Sequence, residues 1–170
     1  PGDHVLSAAG PVYDTLEEVL GTRTSMPDPG SLKDWGVHFD ILPLKSNGRV
    51  DLGGIAKAVV ENKTRLVFIQ RSFGYAWRPA LTNADIAAIV SRVKDANPDC
   101  VCFVDNCYGE FLEECEPVHP SIGADAMAGS LIKNLGGGIV PSGAYVAGRS
   151  DIVQRALARL AAPGVGGGAT

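Results

Sequence analysis

Lys133 and Asp105 are the two residues whose types and spacing point most directly to chemistry. Lys133 lies in Gly129-Ser130-Leu131-Ile132-Lys133-Asn134, just ahead of Gly136-Gly137-Gly138. Asp105 closes the apolar run Cys100-Val101-Cys102-Phe103-Val104, 28 residues earlier (133 − 105). A lysine amine attacks an aldehyde only in its neutral form, and an apolar flank such as Leu131-Ile132 favours that form by desolvation. A carboxylate at the end of a buried strand is costly unless something pairs with it. A protonated pyridine nitrogen is a fitting partner. The pair therefore suggests a pyridoxal-phosphate site, with Lys133 holding the cofactor as a Schiff base and Asp105 keeping the ring nitrogen protonated, so that the ring serves as an electron sink. The plainer reading of Asp105 is a cap for a helix over Tyr108 to Leu112.

Other residues fit around this pair. The Ser130 hydroxyl either binds the cofactor phosphate or bonds its own backbone at the strand end. Arg71 and Arg78 flank the aromatic loop Ser72-Phe73-Gly74-Tyr75-Ala76-Trp77. The planar fork of arginine suits a cofactor phosphate or a substrate carboxylate, although either side chain taken alone is more often a surface residue. Tyr75 and Trp77 either wall a pocket or anchor their loop. The triple glycine allows a tight turn and close backbone approach, but neither a Walker nor a G-x-G-x-x-G phosphate loop is present. His4, His38 and His119 lack ligand spacing. Cys100, Cys102, Cys107 and Cys115 read as reduced cysteines, with Cys100 and Cys102 alternating onto one face of a strand. Their C-x-C-x4-C spacing does not match paired zinc knuckles, so no metal is expected.

The elements that would position these residues alternate between apolar runs and amphipathic stretches, the rhythm of a βαβ protein. Strands are expected at Val5–Ala8, His38–Leu42, Arg65–Gln70, Cys100–Asp105, Asp125–Gly129 and Gly143–Gly148, the last antiparallel to its neighbour. Asp14 or Thr15 caps a helix through Leu20 that Gly21 stops. Asp51–Glu61 places Leu52, Ile55, Ala56, Val59 and Val60 on one helical face. Thr82 caps Asn83–Asn97, which Pro98 terminates, and Ser150 caps Asp151–Ala161. Thr22–Ser31 and the tail from Pro163 read as flexible loops, and Asn47-Gly48 as a turn. The predicted fold is a mostly parallel sheet flanked by helices, and in such sheets ligands gather beyond the carboxyl ends of the strands. Arg71, Asp105 and Lys133 all fall at or just past strand ends.

Composition narrows the classes. A chain of 170 residues suffices for one domain with a core. Hydrophobic residues make up 45%, charged residues 20%, and the net charge is −4, with both signs interspersed. That argues against a nucleic-acid partner, which needs a clustered basic face. No apolar run of about 18 residues provides a membrane span. The opening Pro1-Gly2-Asp3-His4 is neither a signal peptide nor a presequence, and the chain reads as part of something longer, cytoplasmic in location.

Several words of the sequence resemble one family. They are Tyr13-Asp14-Thr15-Leu16-Glu17-Glu18-Val19, Gln70-Arg71-Ser72 with Gly74-Tyr75 and Trp77-Arg78-Pro79, Val104 to Phe111, Gly129 to Gly138, and Ala162-Pro163-Gly164. Together they are similar to the cystathionine β-lyase/methionine γ-lyase-like proteins of the aluminium-resistance family, from end to end of the chain. The resemblance implies a three-layer α/β fold with helices on both faces of the sheet, the large domain of the aspartate-aminotransferase-like (fold type I) pyridoxal-phosphate enzymes. Residues 1–170 would form a single, incomplete large domain, without the N-terminal segment and the C-terminal small domain. It implies Lys133 as the Schiff-base lysine, Asp105 as the pyridine-nitrogen partner and Ser130 as a phosphate ligand. Ile132 departs from the threonine that precedes the lysine in related lyases. The implied activity is carbon–sulfur lysis of a small sulfur amino acid (cystathionine, cysteine or methionine) in a homodimer or homotetramer. Transamination, replacement chemistry and a non-catalytic truncated domain are the rival outcomes.

Overall fold

The computed structural model describes residues 1–23, 30–160 and 164–165. Most of the loop expected at Thr22–Ser31, and most of the tail from Pro163, lie outside those residues. The elements run β1 (His4–Ser7), α1 (Asp14–Leu20), β2 (His38–Ile41), α2 (Leu52–Glu61), β3 (Leu66–Gln70), α3 (Asn83–Ala96), β4 (Val101–Asp105), β5 (Ala126–Ser130), β6 (Ala144–Gly148) and α4 (Ser150–Leu160). A short wide turn, Leu131–Leu135, follows β5 and carries Lys133.

The six strands form one sheet in the order β2-β1-β3-β4-β5-β6. All neighbours are parallel except β5 and β6. The central strands read as near-continuous apolar runs because both faces are covered. Ile55 and Val59 of α2 join Ile86, Ile89, Val90 and Val93 of α3 over Leu6, Val67, Ile69, Cys102 and Val104. On the other face, Leu20 and Leu16 of α1 pack with Val12 against Phe68, Val5, Phe39 and Phe103. Each fully buried aliphatic side chain contributes about 1.5–3 kcal/mol relative to exposure. Cys100 and Cys102 fall in the same buried cluster, as their alternation predicts. Burial pushes their thiols up to about 11 and about 12.

Local signals set the helix ends. Thr82 and Asp85 form the reciprocal cap of α3, each side chain accepting from the other's backbone N–H. Gly21 ends α1 in the left-handed region at φ 83°. The start of α1 departs from expectation. Its cap is Tyr13, one residue before Asp14, and makes no side-chain cap bond. A tertiary contact replaces the local one, because Gln70 Oε1 accepts the Tyr13 N–H at 2.8 Å.

The chain runs from β1 outward to β2, then returns across β1 to β3 and onward to β4. The connection therefore reverses direction between β1 and β3. Beyond the carboxyl ends of strands that diverge in this way a crevice opens. The segments leaving β1, β3 and β4 line it, together with the turn after β5.

Candidate active site

The cavity at this switch point has a volume of about 520 Å3. Lys133, Asp105 and Arg71 all line it, so three of the five residues singled out from sequence meet there. Asp105 ends β4, paired in register with Gln70 on one side and Ala128 on the other. It is half-buried, and its Oδ1 accepts the Cys107 N–H at 3.1 Å. The segment after it consists of turns rather than the helix of the plainer reading.

Lys133 projects from the turn after β5. Its Nζ lies 4.6 Å from the ring centroid of Tyr108 and 5.7 Å from that of Tyr13. Tyr13 stacks on Tyr75 with centroids 5.5 Å apart. The Tyr13 hydroxyl is pushed up, first by its hydrogen bond to Tyr75 and then by the charge that Tyr75 would carry. The amine thus waits among aromatic faces, where a cation is attracted to the ring quadrupoles.

Ser130 makes a local bond at the strand end. Its Oγ accepts the Ile132 N–H at 3.3 Å and so caps the lysine turn from within.

The arginines are already engaged within the protein. Arg71 lies in the cavity wall, but its side chain is only 4% exposed and its donors are engaged. They reach the Leu81 carbonyl at 3.2 Å, Asn106 Oδ1 at 2.8 Å, the Gly109 carbonyl at 2.9 Å and Glu113 at 2.6 Å. Arg78 lies outside the cavity, buried, with its guanidinium bonded to the carbonyls of Gln70, Ser72 and Pro79. It pins the aromatic loop to the end of β3. Neither arginine sits as a free cation for a cofactor phosphate, because backbone carbonyls and Glu113 hold them.

Three cavity residues escaped the sequence reading. Tyr13 stands at the junction of β1 and α1, and its position inside a recognised sequence word was the available signal. Tyr108 stands three residues past Asp105, and only its backbone conformation distinguishes it. Cys107 also faces the cavity. Burial, then the Asp105 charge, raises its thiol, which keeps it protonated and a poor nucleophile.

Comparison with known proteins bears on the family and the fold. A family model described as Methionine gamma-lyase matches residues 1–170. The uncharacterized protein YnbB of Bacillus subtilis (strain 168) is 44% identical over 166 residues, covering 98% of this chain and 38% of that protein. A solved structure of a carbon-sulfur lyase involved in aluminum resistance from Clostridium novyi NT is 46% identical, with a TM-score of 0.89, over 98% of this chain and 39% of that one. The pyridoxal-5'-phosphate dependent protein YhfS of Escherichia coli shares the fold at a TM-score of 0.64 and 18% identity. The chain thus spans about two-fifths of the length of the first two relatives. Among the described residues no helix is long and apolar enough to cross a membrane.

Proposed function

The chain belongs to the methionine gamma-lyase family, and from that premise we propose that it works as a pyridoxal-phosphate-dependent carbon–sulfur lyase on a sulfur-containing amino acid. The observation that carries this reading is the convergence of Lys133 and Asp105 on one cavity at the carboxyl ends of parallel strands. The donor set suits the group: an amine to hold it, a carboxylate for its ring nitrogen, and the flat face of Tyr13 beside them. When bound, pyridoxal phosphate supplies the electron sink that makes a substrate Cα–H acidic.

The chain's own residues do the rest. Lys133 would hold the cofactor through its amine and, when that amine is free, would remove the proton at the substrate Cα. Asp105 would pair with the ring nitrogen and keep it protonated. The Cys107 thiol stays protonated and does not compete as a nucleophile. Loss of the thiol from the β- or γ-carbon leaves a keto acid and ammonia after hydrolysis. Cystathionine, cysteine and methionine are the substrate class. Phe73, Tyr75 and Trp77 stand exposed on the aromatic loop beside the cavity, and a second copy of the protein closing over them belongs to the same proposal.

The test is absorption of the full-length protein incubated with pyridoxal phosphate, then borohydride reduction and peptide mapping. A reduced adduct on Lys133, with keto acid and ammonia released from a sulfur amino acid, is the expected result. No adduct on any lysine overturns the reading, and amino-group transfer in place of ammonia release redirects it to an aminotransferase.

A further inference from the structure

The turn that follows Asp105 carries two non-glycine residues in the left-handed region, Tyr108 at φ 67° and Phe111 at φ 61°. An L-residue adopts that conformation at a cost, and it persists only where the surroundings over-determine it. The Tyr108 side chain does not supply that constraint, since it is 53% exposed. The turn closes on its own backbone bond, from the Gly109 N–H to the Asn106 carbonyl at 2.8 Å, and Arg71 anchors it from outside. One nitrogen of its guanidinium, Nη1, donates to Asn106 Oδ1 and to the Gly109 carbonyl, so the residues on either side of the Cys107-Tyr108 pair hang from a single atom. Its other terminal nitrogen bonds Glu113 Oε1, which also accepts the Asn83 N–H at the start of α3. Gly109 makes this approach possible, because a Cβ there would stand 2.7 Å from both Arg71 Nη1 and Asn106 Oδ1.

The ring that this arrangement presents is the one 4.6 Å from Lys133 Nζ. We propose that the Arg71–Glu113 ion pair is a positioning device that holds Tyr108 in its left-handed conformation and thereby fixes where the Lys133 amine waits. The proposal deepens the reading of Lys133 as the working amine and rests on it for its significance. It gives the buried arginine a role through Tyr108 rather than through a ligand. A lysine side chain is otherwise free to sample many rotamers, and an aromatic face against its ammonium confines it near the cavity.

The test needs no cofactor. Lysines of the full-length apoprotein are dimethylated with 13C-formaldehyde and a reductant, and the Lys133 signal is identified by its loss in Lys133→Arg. Methyl groups above an aromatic ring resonate upfield of those on exposed lysines. The expected result is an upfield Lys133 signal that returns to the exposed position in Tyr108→Leu, and also in Arg71→Lys and Glu113→Gln, where the ring remains. An unmoved Lys94 signal, from the far end of β5 where that residue pairs with Asp125, reports an intact fold in each variant. A folded Arg71→Lys or Glu113→Gln protein that keeps the upfield signal overturns the proposal, as does a wild-type signal indifferent to Tyr108→Leu. If Arg71→Lys does not fold, Glu113→Gln decides, since it preserves shape and removes only the charge. The adduct experiment stands apart: failure to trap cofactor on Lys133 removes the lyase reading and leaves the methyl shifts as they are.

Discussion

The turn after β4 and the turn after β5 each bring one reactive group to the cavity, and they are held in opposite ways. Behind Asp105, Asn106 is fully buried; it accepts from Arg71 and donates to Glu116 at 2.7 Å and to the Tyr145 hydroxyl at 3.3 Å. Glu116 accepts the Phe111 N–H, and Glu110 accepts the Tyr145 O–H at 3.0 Å. The glutamates at 110, 113 and 116 thus tie one turn to β6, to Arg71 and to itself. The lysine turn contains no buried residue. Its hold consists of the Ser130 cap and backbone bonds such as Leu131 N–H to Gly143 and Gly137 N–H to Lys133. The contrast fits the roles proposed for the two groups. A carboxylate that keeps a ring nitrogen protonated works by staying in place. An amine that holds a cofactor, releases it and then carries a proton needs reach.

The largest effects separate the two turns by which property is lost. Lys133→Ala lowers lyase activity of the full-length protein by about 10²–10⁴-fold, the scale of a missing acid–base group. Its unfolding free energy stays within about 0.5 kcal/mol of wild type, because no residue of the turn is fully buried. Asn106→Ala does the reverse at the level of the fold. It removes three side-chain bonds, with Arg71, Glu116 and the Tyr145 hydroxyl, for a loss of about 3 kcal/mol in denaturant titration. An Asn106→Ala protein as stable as wild type would show that the glutamate network is decorative and that the two turns do not differ as described.

Much of this was legible in the sequence, for physical reasons that also explain the rest. The strands and the α2 and α3 helices follow from apolar periodicity, and Thr82 and Gly21 mark ends by local chemistry that depends on few neighbours. Lys133 and Asp105 were readable because a lysine beside glycines and a carboxylate closing an apolar strand both break the local pattern. Arg71 and Arg78 were recognised as unusual, but the partners that hold them were not. What decides an arginine's role is whether carbonyls and carboxylates from distant segments, here Leu81, Gly109 and Glu113, claim its donors. Tyr108 was passed over for a related reason, since the turn that holds its left-handed backbone is anchored by Arg71, 37 residues away in sequence (108 − 71).

A third site extends the comparison along β5 itself. The strand that ends loosely at Lys133 begins at a tightly held carboxylate. Asp125 is buried, and burial alone would raise its pKa. The Cys102 N–H at 2.7 Å, Lys94 at 2.7 Å and Arg149 at 2.9 Å outweigh that and hold it below the usual carboxylate value. The unfolded chain, with Asp near 3.9, therefore binds more protons than the folded one as acid is added. Its contribution is fully present above about pH 4 and is lost as pH falls through the depressed folded value. Asp125→Asn is expected to cost about 2 kcal/mol at pH 7, where a charge-assisted set is removed. The same substitution should cost progressively less as the pH is lowered below about 4. Urea midpoints at several pH values measure both. A penalty independent of pH would mean that Asp125 holds β5 by shape rather than by charge.

Ser130→Ala is the smallest change and the most direct probe of the lysine turn. The hydroxyl accepts one backbone N–H, that of Ile132, and losing such a cap costs about 0.5–2 kcal/mol in a helix. Here the low end applies, because the turn is short and half-exposed, so a fall of about 0.5 kcal/mol is expected. The informative measurement is local. Amide exchange at Ile132 and Lys133 should quicken while that at Asn106 and Cys107 stays slow, because the β4 turn has no share in the Ser130 bond. Quickened exchange in both turns would mean that they move as one unit, with the glutamate network reaching across β5 to the lysine. Unchanged exchange in both would locate the hold on the lysine turn in its backbone bonds to Gly143 and Gly137, and would leave the Ser130 hydroxyl available for the phosphate role that its position in the sequence first suggested.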